Sequence, residues 1–325
     1  MNQEPAMDVM VIGEPLVEFS ASGPLTEADT FRLSFSGDAL NAAVAAAATG
    51  AHVALVTLVG DDEFGERLVR FAAAHGVDTR WMRRGAGSTG AYAVGADPSG
   101  ERAFTYMRAC SAASRMGPDD VAAAPLEETA VLLVSGVTAA LSRSCAQAVL
   151  HAAQTVDAAG GRVVYDPNYR WRLTGPEAAA ATLASVAPWA ALVTPSSPGD
   201  TLPLLATADP AEAARACLAL GARAVAVTRG PDGVLLADGE GTPEDVPAIP
   251  AAAIVDQTGA GDAFAGTLAA RLALGAPLRE AVRAGTAAAA ISLAGQGGTG
   301  RVATPEEIER LLAGSPGVAG NGLSG

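Results

Sequence analysis

Short apolar segments that alternate with alanine-rich segments are the feature that most constrains the fold of this chain. Four of them after residue 130 have the length and the composition of buried strands: residues 131–135, 162–166, 191–194 and 224–228. The alanine-rich segments between them have high helical propensity. Repeated strand–helix units predict an α/β fold, in which a mostly parallel sheet is covered by helices on both faces.

The part of the chain before residue 112 contains similar units, interrupted by two stretches that favour extended structure. Strands are predicted at residues 9–13 and 52–59, and helices at residues 39–49 and 64–75. The two interrupting stretches alternate in character, and the second has a turn sequence at Asp97-Pro98-Ser99-Gly100 that predicts a hairpin. We expect them to form a small sheet beside the core.

The domain boundaries follow from this pattern. The core is expected to comprise residues 1–13, 37–88 and 112–312, and the small sheet residues 14–36 and 89–111. Residues 313–325 are rich in glycine, serine and proline and are predicted to be disordered.

Composition excludes several classes of function. The net charge of −14 disfavours a nucleic-acid partner, because there is no basic excess to neutralise phosphates. All 21 basic residues are arginine, which excludes a P-loop lysine and a Schiff base.

The apolar stretches fall short of the ~20 residues of a membrane span. The N-terminus does not resemble a signal peptide, and the three cysteines, Cys110, Cys145 and Cys217, are widely spaced, so we expect a cytoplasmic protein.

The segment Asp256-Gln257-Thr258-Gly259-Ala260-Gly261-Asp262 carries the clearest chemical signal. It precedes a helical run predicted at residues 263–274, and small residues at a helix N-terminus leave backbone N–H groups open to an anion. The Asp262 carboxylate beside them is suited to accept a proton from a hydroxyl. An anion site next to a base is what phosphoryl transfer to an alcohol requires. The alternative is an ordinary glycine-rich turn that caps a helix.

Polar residues also follow three of the predicted strands, as Asp166-Pro167-Asn168, Thr194-Pro195-Ser196 and Thr228-Arg229-Gly230. Ligands of open α/β sheets bind beyond the carboxyl ends of the strands, so these segments predict a shared cleft. At any single position, the alternative is that proline, glycine and asparagine merely end a strand.

Two G-x-G-x-x-G segments, at residues 85–90 and 295–300, lack the strand–turn–helix context of a dinucleotide fingerprint. A dehydrogenase is therefore disfavoured, although the second segment has a position suited to border a nucleotide base. A sugar- or nucleotide-binding module without catalysis remains a further alternative.

Taken together, these motifs resemble those of the ribokinase-like (PfkB) family of carbohydrate kinases along nearly the whole chain. Ser36-Gly37-Asp38-Ala39-Leu40-Asn41, continued by residues 59–65, resembles the N-terminal signature of the family, and residues 256–262 resemble the C-terminal one. The resemblance implies a Rossmann-like, mostly parallel sheet flanked by helices, a small β-sheet lid and a homodimer formed through the lid. It also implies ATP and Mg²⁺ as cofactors.

By this resemblance, Asp262 is the catalytic base and the amides of Gly259, Ala260 and Gly261 form the anion hole. ATP is expected to bind at Ser196, Thr228, Gly230, Gly233, Gly259 and Gly261. Asp256 matches a position that helps to bind a monovalent cation such as K⁺ in some members. The sequence departs from the family where Ser36 replaces a glycine, Gln257 a threonine and residues 194–200 an Asn-Glu-x-Glu motif.

Within the family, several segments resemble the branch that phosphorylates 2-keto-3-deoxygluconate, including residues 106–114, 135–138 and 166–170. The substrate-binding residues implied are Gly37, Asp38, Asn41, Tyr92, Tyr106, Arg108, Val137, Arg170 and Asp262. Arginine suits a sugar-acid carboxylate because its planar fork binds the two oxygens together. The alternatives are a neutral sugar or nucleoside as substrate, arginines that pair with acidic side chains, and tyrosines that only pack the lid.

Overall fold

The computed structural model describes residues 7–96, 102–239 and 241–314. Its largest element is a ten-stranded sheet. In spatial order, the strands are β14 (Glu244–Val246), β13 (Val234–Ala237), β12 (Val225–Thr228), β11 (Leu192–Val193), β10 (Arg162–Asp166), β9 (Thr129–Ser135), β1 (Met7–Ile12), β4 (Val53–Gly60) and β5 (Val77–Asp78), with β6 (Met82–Gly85) also paired to β4. All neighbours are parallel except at β13, which is antiparallel to β12 and β14. This architecture confirms the predicted fold class.

Helices cover both faces of this sheet. They are α1 (Asp38–Ala47), α2 (Glu63–Ala74), α3 (Pro118–Ala122), α4 (Gly136–Ala140), α5 (Arg143–Ala158), α6 (Pro176–Val186), α7 (Thr201–Leu205), α8 (Pro210–Ala219), α9 (Ala260–Ala273), α10 (Leu278–Ser292) and α11 (Pro305–Gly314). Alternate residues of β1 enter two different cores: Met10 and Ile12 pack with α5, α6 and α8, whereas Val9 and Val11 pack with α1, α2, α9 and α10. The strands are apolar at successive positions because both of their faces are buried.

A separate four-stranded sheet, which we call the lid, is built from the two stretches that were predicted to be extended. Its order is β3 (Arg32–Ser36), β2 (Leu16–Ser20), β7 (Ala91–Ala96) and β8 (Arg102–Met107). Strands β7 and β8 are antiparallel, as expected for a hairpin, and the turn predicted at residues 97–100 lies outside the described residues. Strand β8 is an edge of this sheet.

Three details differ from the sequence-based expectations. Helix α9 begins at Ala260 and not at Ala263, because Gly259, in the left-handed conformation, is its N-cap and Asp262 lies in the first turn. Ala313 and Gly314, predicted to belong to a disordered tail, end helix α11, and residues 315–325 lie outside the described part of the chain. The antiparallel edge formed by β13 and β14 was not anticipated, because no strand was predicted after residues 224–228. A short turn at residues 230–233 reverses the chain, so that β13 pairs antiparallel with β12.

Within the described ranges, no helix combines the length and the apolar character needed to cross a bilayer.

Candidate active site

A cavity of about 570 Å³ lies between the lid and the carboxyl ends of strands β10, β11 and β12. Most of the residues singled out from the sequence line it: Gly37, Asp38, Asn41, Tyr92, Tyr106, Arg108, Val137, Arg170, Ser196, Thr228, Gly259, Gly261 and Asp262. The strand-end residues Asp166, Asn168 and Thr194 line it as well. The structure therefore brings the three polar strand ends and the glycine turn together into one cleft.

The glycine turn at the start of α9 has the backbone geometry expected of an anion site. Gly259 has a φ of +82°, and a Cβ at this position would lie 2.7 Å from Gly298 Cα, so no side chain fits there. Gly259 and Gly261 line the cavity, and the N–H groups of the first turn have no partner within the helix itself. The Ala260 N–H donates to the Gln257 carbonyl at 3.3 Å, and Ala260 is not among the lining residues.

The second G-x-G-x-x-G segment, residues 295–300, is hydrogen-bonded to the segment of this turn through the Asp256 carboxylate. The Gly297 N–H donates to Asp256 Oδ2 at 2.6 Å, and the Thr258 N–H donates to Asp256 Oδ1 at 2.8 Å. Asp256 is buried and does not line the cavity. Its carboxylate thus joins the glycine turn to the 295–300 segment, and its predicted contact with a monovalent cation remains a prediction.

Asp262 is held by the N-terminal signature. Gly37, whose φ is +106°, caps helix α1, and Asn41 in the first turn of α1 donates from Nδ2 to Asp262 Oδ2 at 2.7 Å. Burial, together with the negative charge of Asp38, raises the pKa of Asp262 to about 7, although hydrogen bonds from Asn41 and Asn168 and the charge of Arg170 oppose the shift. A carboxylate with a pKa near neutrality is well matched to accept a proton at physiological pH.

Arg108 lines the cavity from the end of β8, and its charge is balanced by a residue that the sequence analysis did not identify. Its Nη2 lies 2.5 Å from Oε2 of Glu14, which is fully buried and also accepts a hydrogen bond from the Ser111 hydroxyl. Burial raises the pKa of Glu14, and the Arg108 charge works against that rise. The guanidinium also lies 5.8 Å from the centre of the Tyr106 ring. Arg108 is therefore fixed between a buried carboxylate and an aromatic face.

Arg170 reaches the cavity from the loop after β10. Its side chain is exposed, and its Nη1 donates to the Tyr169 carbonyl at 3.1 Å. The described residues place no acidic partner within ion-pair distance of Arg170, in contrast to Arg108. The proposed carboxylate site thus has one arginine with a buried counter-ion and one, Arg170, that acts on Asp166 and Asp262 only from beyond ion-pair distance among the described residues.

The two lid tyrosines differ in their environment. Tyr92 is buried, its hydroxyl donates to the Glu18 carboxylate, and burial together with the Glu18 charge raises its pKa. Tyr106 is exposed, and its ring centre lies 6.0 Å from that of Tyr92. Phe104 completes an aromatic group on the cavity side of the lid. The Tyr92 hydroxyl therefore has a structural partner, which leaves its ring face for a ligand.

Asp200, which also lines the cavity, organises the predicted nucleotide segment. Its Oδ2 accepts hydrogen bonds from the Ser196 N–H and hydroxyl at 2.7 and 2.6 Å. Thr228 and Ser196 line the cavity, whereas Gly230 and Gly233, also predicted to bind ATP, are not among its lining residues. Gly233 has a φ of +80°, and a Cβ there would lie 2.2 Å from the Val246 carbonyl, so this glycine is required by the turn into β13.

Carboxylates along the cavity suit a magnesium ion that is shared with phosphates. Asp166 has its pKa raised well above the usual range by burial and by the charges of Asp200 and Asp262. A cation nearby would relieve this repulsion. Within the described ranges, no group of three or more acidic, histidine or cysteine side chains is arranged to hold a metal alone. This donor set fits Mg²⁺, which usually takes one or two carboxylates and completes its shell with phosphates and water.

The cavity or supporting residues missed from the sequence include Glu14, Phe104, Trp171, Arg172 and Asp200. Asp200 could have been inferred, because it lies in the segment that departs from the family motif. Glu14 gives no such signal, since it follows a predicted strand like many surface acids. Trp171 and Arg172 directly follow Arg170, and their proximity to the lid could not be read from the chain.

Comparisons with known proteins give consistent matches over nearly the whole chain. A family model described as pfkB family carbohydrate kinase matches residues 6–305. The 2-dehydro-3-deoxygluconokinase of Thermoproteus tenax is 33% identical, over 95% of this chain and 96% of that protein. The 2-dehydro-3-deoxygalactonokinase of Haloferax volcanii is 31% identical, over 94% and 97% of the two chains. A putative Ribokinase II from E. coli, solved in complex with ATP and Mg²⁺, has a TM-score of 0.83 and 26% identity, over 94% and 99% of the two chains.

Proposed function

This chain belongs to the pfkB family of carbohydrate kinases, and on that premise we propose that it is a 2-keto-3-deoxygluconate kinase. It transfers the γ-phosphoryl group of ATP to the terminal hydroxyl of this sugar acid and forms the 6-phosphate. The observation that supports this substrate is one cavity, lined by the glycine turn and Asp262 as well as by Arg108 and Arg170. The relatives named for kinase activity on 2-dehydro-3-deoxy sugar acids agree with it.

The residues divide the chemistry among them. Asp262 accepts the proton of the attacking hydroxyl as the new O–P bond forms, and its raised pKa suits that transfer. The backbone N–H groups of Gly259 and Gly261, which line the cavity, stabilise charge that develops on the migrating phosphoryl group, whereas the predicted contribution of Ala260 is not supported because its N–H donates to Gln257. Arg170, supported by Arg108, binds the carboxylate of the sugar acid at the other end. Mg²⁺, when bound near Asp166, neutralises charge on the nucleotide phosphates.

We further propose the setting in which the enzyme works. ATP occupies the end of the cavity near Ser196 and Thr228, and K⁺ binds near Asp256. The enzyme is cytoplasmic and forms a dimer through the lid, on which the large apolar side chains of Phe31 and Met107 are exposed.

The substrate proposal is tested with an ADP-release assay on the wild-type enzyme. The panel contains 2-keto-3-deoxygluconate, its galacto epimer, the parent sugar acids, fructose and nucleosides. We expect the highest kcat/KM with a 2-keto-3-deoxy sugar acid. A clear preference for fructose or a nucleoside would reject that substrate and favour the neutral-substrate alternative.

Replacing Arg170 by alanine should raise KM for the sugar acid about 30-fold, because a charge-assisted contact to the carboxylate is lost. KM for ATP should change by less than about twofold, since the nucleotide end of the cavity keeps its contacts. The measurement is steady-state kinetics with each substrate varied in turn. Arg215→Ala, an exposed arginine on α8 away from the cavity, is the control. An unchanged KM for the sugar acid would remove Arg170 from the site.

The pH dependence of kcat/KM should report the base. Because the pKa of Asp262 is about 7, the active carboxylate form is lost as the pH falls below neutrality, and the rate should fall with it. Asp38→Asn removes the negative charge that helps to raise this pKa, so the acidic limb should move to lower pH. A limb that stays in place in this variant would contradict the influence of Asp38. Asp119→Asn, an exposed acid on α3, is the control and should leave the limb unchanged.

A further inference from the structure

Arg172 connects the loop after β10 to the lid. Its Nη1 donates to the main-chain carbonyl of Phe104 at 2.6 Å, and its guanidinium lies 5.0 Å from the centre of the Trp171 ring. Trp171 is 72% exposed, and both residues line the cavity together with Phe104. This contact joins two parts of the chain that are 68 residues apart in sequence.

The Phe104 carbonyl is available to Arg172 because of its place in the lid. Strand β8 is an edge strand, and Phe104 stands opposite Val94 of β7. The Val94 carbonyl accepts from the Ala21 N–H at 2.8 Å on the far side, so Val94 and Phe104 form a pair without hydrogen bonds between them. The Phe104 carbonyl therefore points outward from the sheet, where none of the strands in the described part of the chain satisfies it. Arg172 supplies the donor that a further strand would otherwise provide.

On the core side, Arg172 is part of the same turn as Arg170. The Arg170 carbonyl accepts hydrogen bonds from the Leu173 N–H at 2.8 Å and the Thr174 N–H at 3.3 Å. These two bonds close a turn that begins at Arg170 and contains Arg172. The start of the loop is fixed as well, because the Tyr169 N–H donates to Asp200 Oδ1 at 2.7 Å. A displacement of the lid edge would consequently be transmitted to Arg170 through a short and well-bonded turn.

On the lid side, the Phe104 backbone carries the aromatic group that faces the cavity. The Phe104 and Tyr106 rings are stacked, with an interplanar angle of 12° and centres 6.2 Å apart, and Arg108 follows two residues later. The contact of Arg172 thus lies between the segment with Tyr106 and Arg108 and the segment with Arg170.

We propose that Arg172 is a positioning residue that couples closure of the lid edge to the placement of Arg170 in the sugar site. The inference rests on the proposed function, because it assigns the coupled groups to the sugar substrate. Arg172 itself does not touch the reacting atoms. Its hydrogen bond favours the arrangement in which the lid and the Arg170 turn reach the sugar together, so it acts on sugar binding and leaves ATP binding and the transfer step unchanged.

The test combines kinetics with backbone hydrogen exchange on the full-length enzyme. For Arg172→Ala, we expect KM for the sugar acid to rise about tenfold, because the binding-competent arrangement is less populated. We expect kcat and KM for ATP to stay within about twofold, since closure is restored at saturating sugar. Amides of β8 should exchange several-fold faster in the variant without any ligand, because the edge strand has lost its anchor.

Two further variants separate positioning from general stability. Arg172→Lys keeps a donor that can reach the Phe104 carbonyl. In this variant, log KM for the sugar acid should rise by no more than half of the rise seen in Arg172→Ala. Arg215→Ala, exposed on α8, should match the wild type in both measurements. Unchanged β8 exchange in Arg172→Ala, an unchanged KM for the sugar, or an equal loss in kcat and affinity would each overturn the proposal.

The two proposals fail in different measurements. If the wild-type panel shows a neutral sugar as the preferred substrate, the sugar-acid function is rejected, and the kinetic arm is repeated with that sugar. The exchange of β8 needs no substrate, so it decides the role of Arg172 in either case.

Discussion

Replacing Asp262 by asparagine is expected to lower kcat about 1,000-fold, because the attacking hydroxyl then has no group to accept its proton. The asparagine side chain has nearly the same shape and can still accept the hydrogen bond from Asn41 Nδ2, so the start of α9 should keep its geometry. The backbone N–H groups at Gly259–Gly261 are unaffected, and ATP should bind with unchanged affinity. Single-turnover kinetics and calorimetric titration with ATP measure the two quantities separately.

Asp119→Asn serves as the matched control for this variant, because Asp119 is an exposed acid on α3 and does not line the cavity. It should retain the wild-type rate. If Asp262→Asn kept more than about a tenth of the wild-type kcat, Asp262 could not be the general base. A loss of ATP binding in the same variant would instead indicate that the glycine turn had been displaced.

Replacing Arg108 by alanine should lower the free energy of unfolding by about 3 kcal/mol near neutral pH, because it leaves the buried Glu14 carboxylate without its counter-ion. Arg108 is only 8% exposed and Glu14 is fully buried, so water does not readily replace the lost partner. Denaturant unfolding of the wild type and the variant measures the difference. The variant should also bind the sugar acid more weakly, but the stability loss does not depend on any substrate.

The same variant should show a specific dependence on pH. The pKa of Glu14 is raised in the folded protein by burial, and Arg108 opposes that rise, so removal of Arg108 should raise it further. The folded state then binds a proton more tightly than the unfolded state, and stability falls as the pH rises above the ordinary carboxyl pKa. The loss in Arg108→Ala should therefore be smaller at about pH 5 than at about pH 8.

A double variant separates the charge from the packing in this case. Glu14→Gln combined with Arg108→Met removes both charges and should recover a large part of the stability that Arg108→Ala loses. A destabilisation below about 1 kcal/mol in Arg108→Ala would show that the pair behaves like an exposed ion pair. A loss that is the same at both pH values would contradict the unpaired carboxylate as its cause.

The fold was predictable because its signals are local. Strands such as β9 and β10 are short apolar runs, and the lid strands β7 and β8 lie within a segment whose residues alternate in character. The bounds were less accurate at α9, where the helix begins three residues before the predicted position. There the left-handed conformation of Gly259 sets the start, and its close contact with Gly298 explains why a glycine is needed.

The candidate site was predictable to the extent that its residues lie in recognisable segments. Asn41 and Asp262 belong to separate signatures, and the structure joins them by a direct hydrogen bond. Glu14 and Arg172 were missed for different physical reasons. Glu14 differs from a surface acid only in its burial, which depends on the lid above it, and Arg172 binds a main-chain carbonyl whose orientation depends on the pairing of β7 with β8.

The sequence by itself determined the alternation of strands and helices, the glycine turn with its aspartate and the absence of lysine, because periodicity, backbone freedom and side-chain chemistry are properties of neighbouring residues. Tertiary structure decided which charges are neutralised and which remain available: Arg108 lies against Glu14, while Arg170 faces the cavity without an acidic partner among the described residues. The reason is physical, since burial and ion pairing depend on distances between segments that are brought together only by folding.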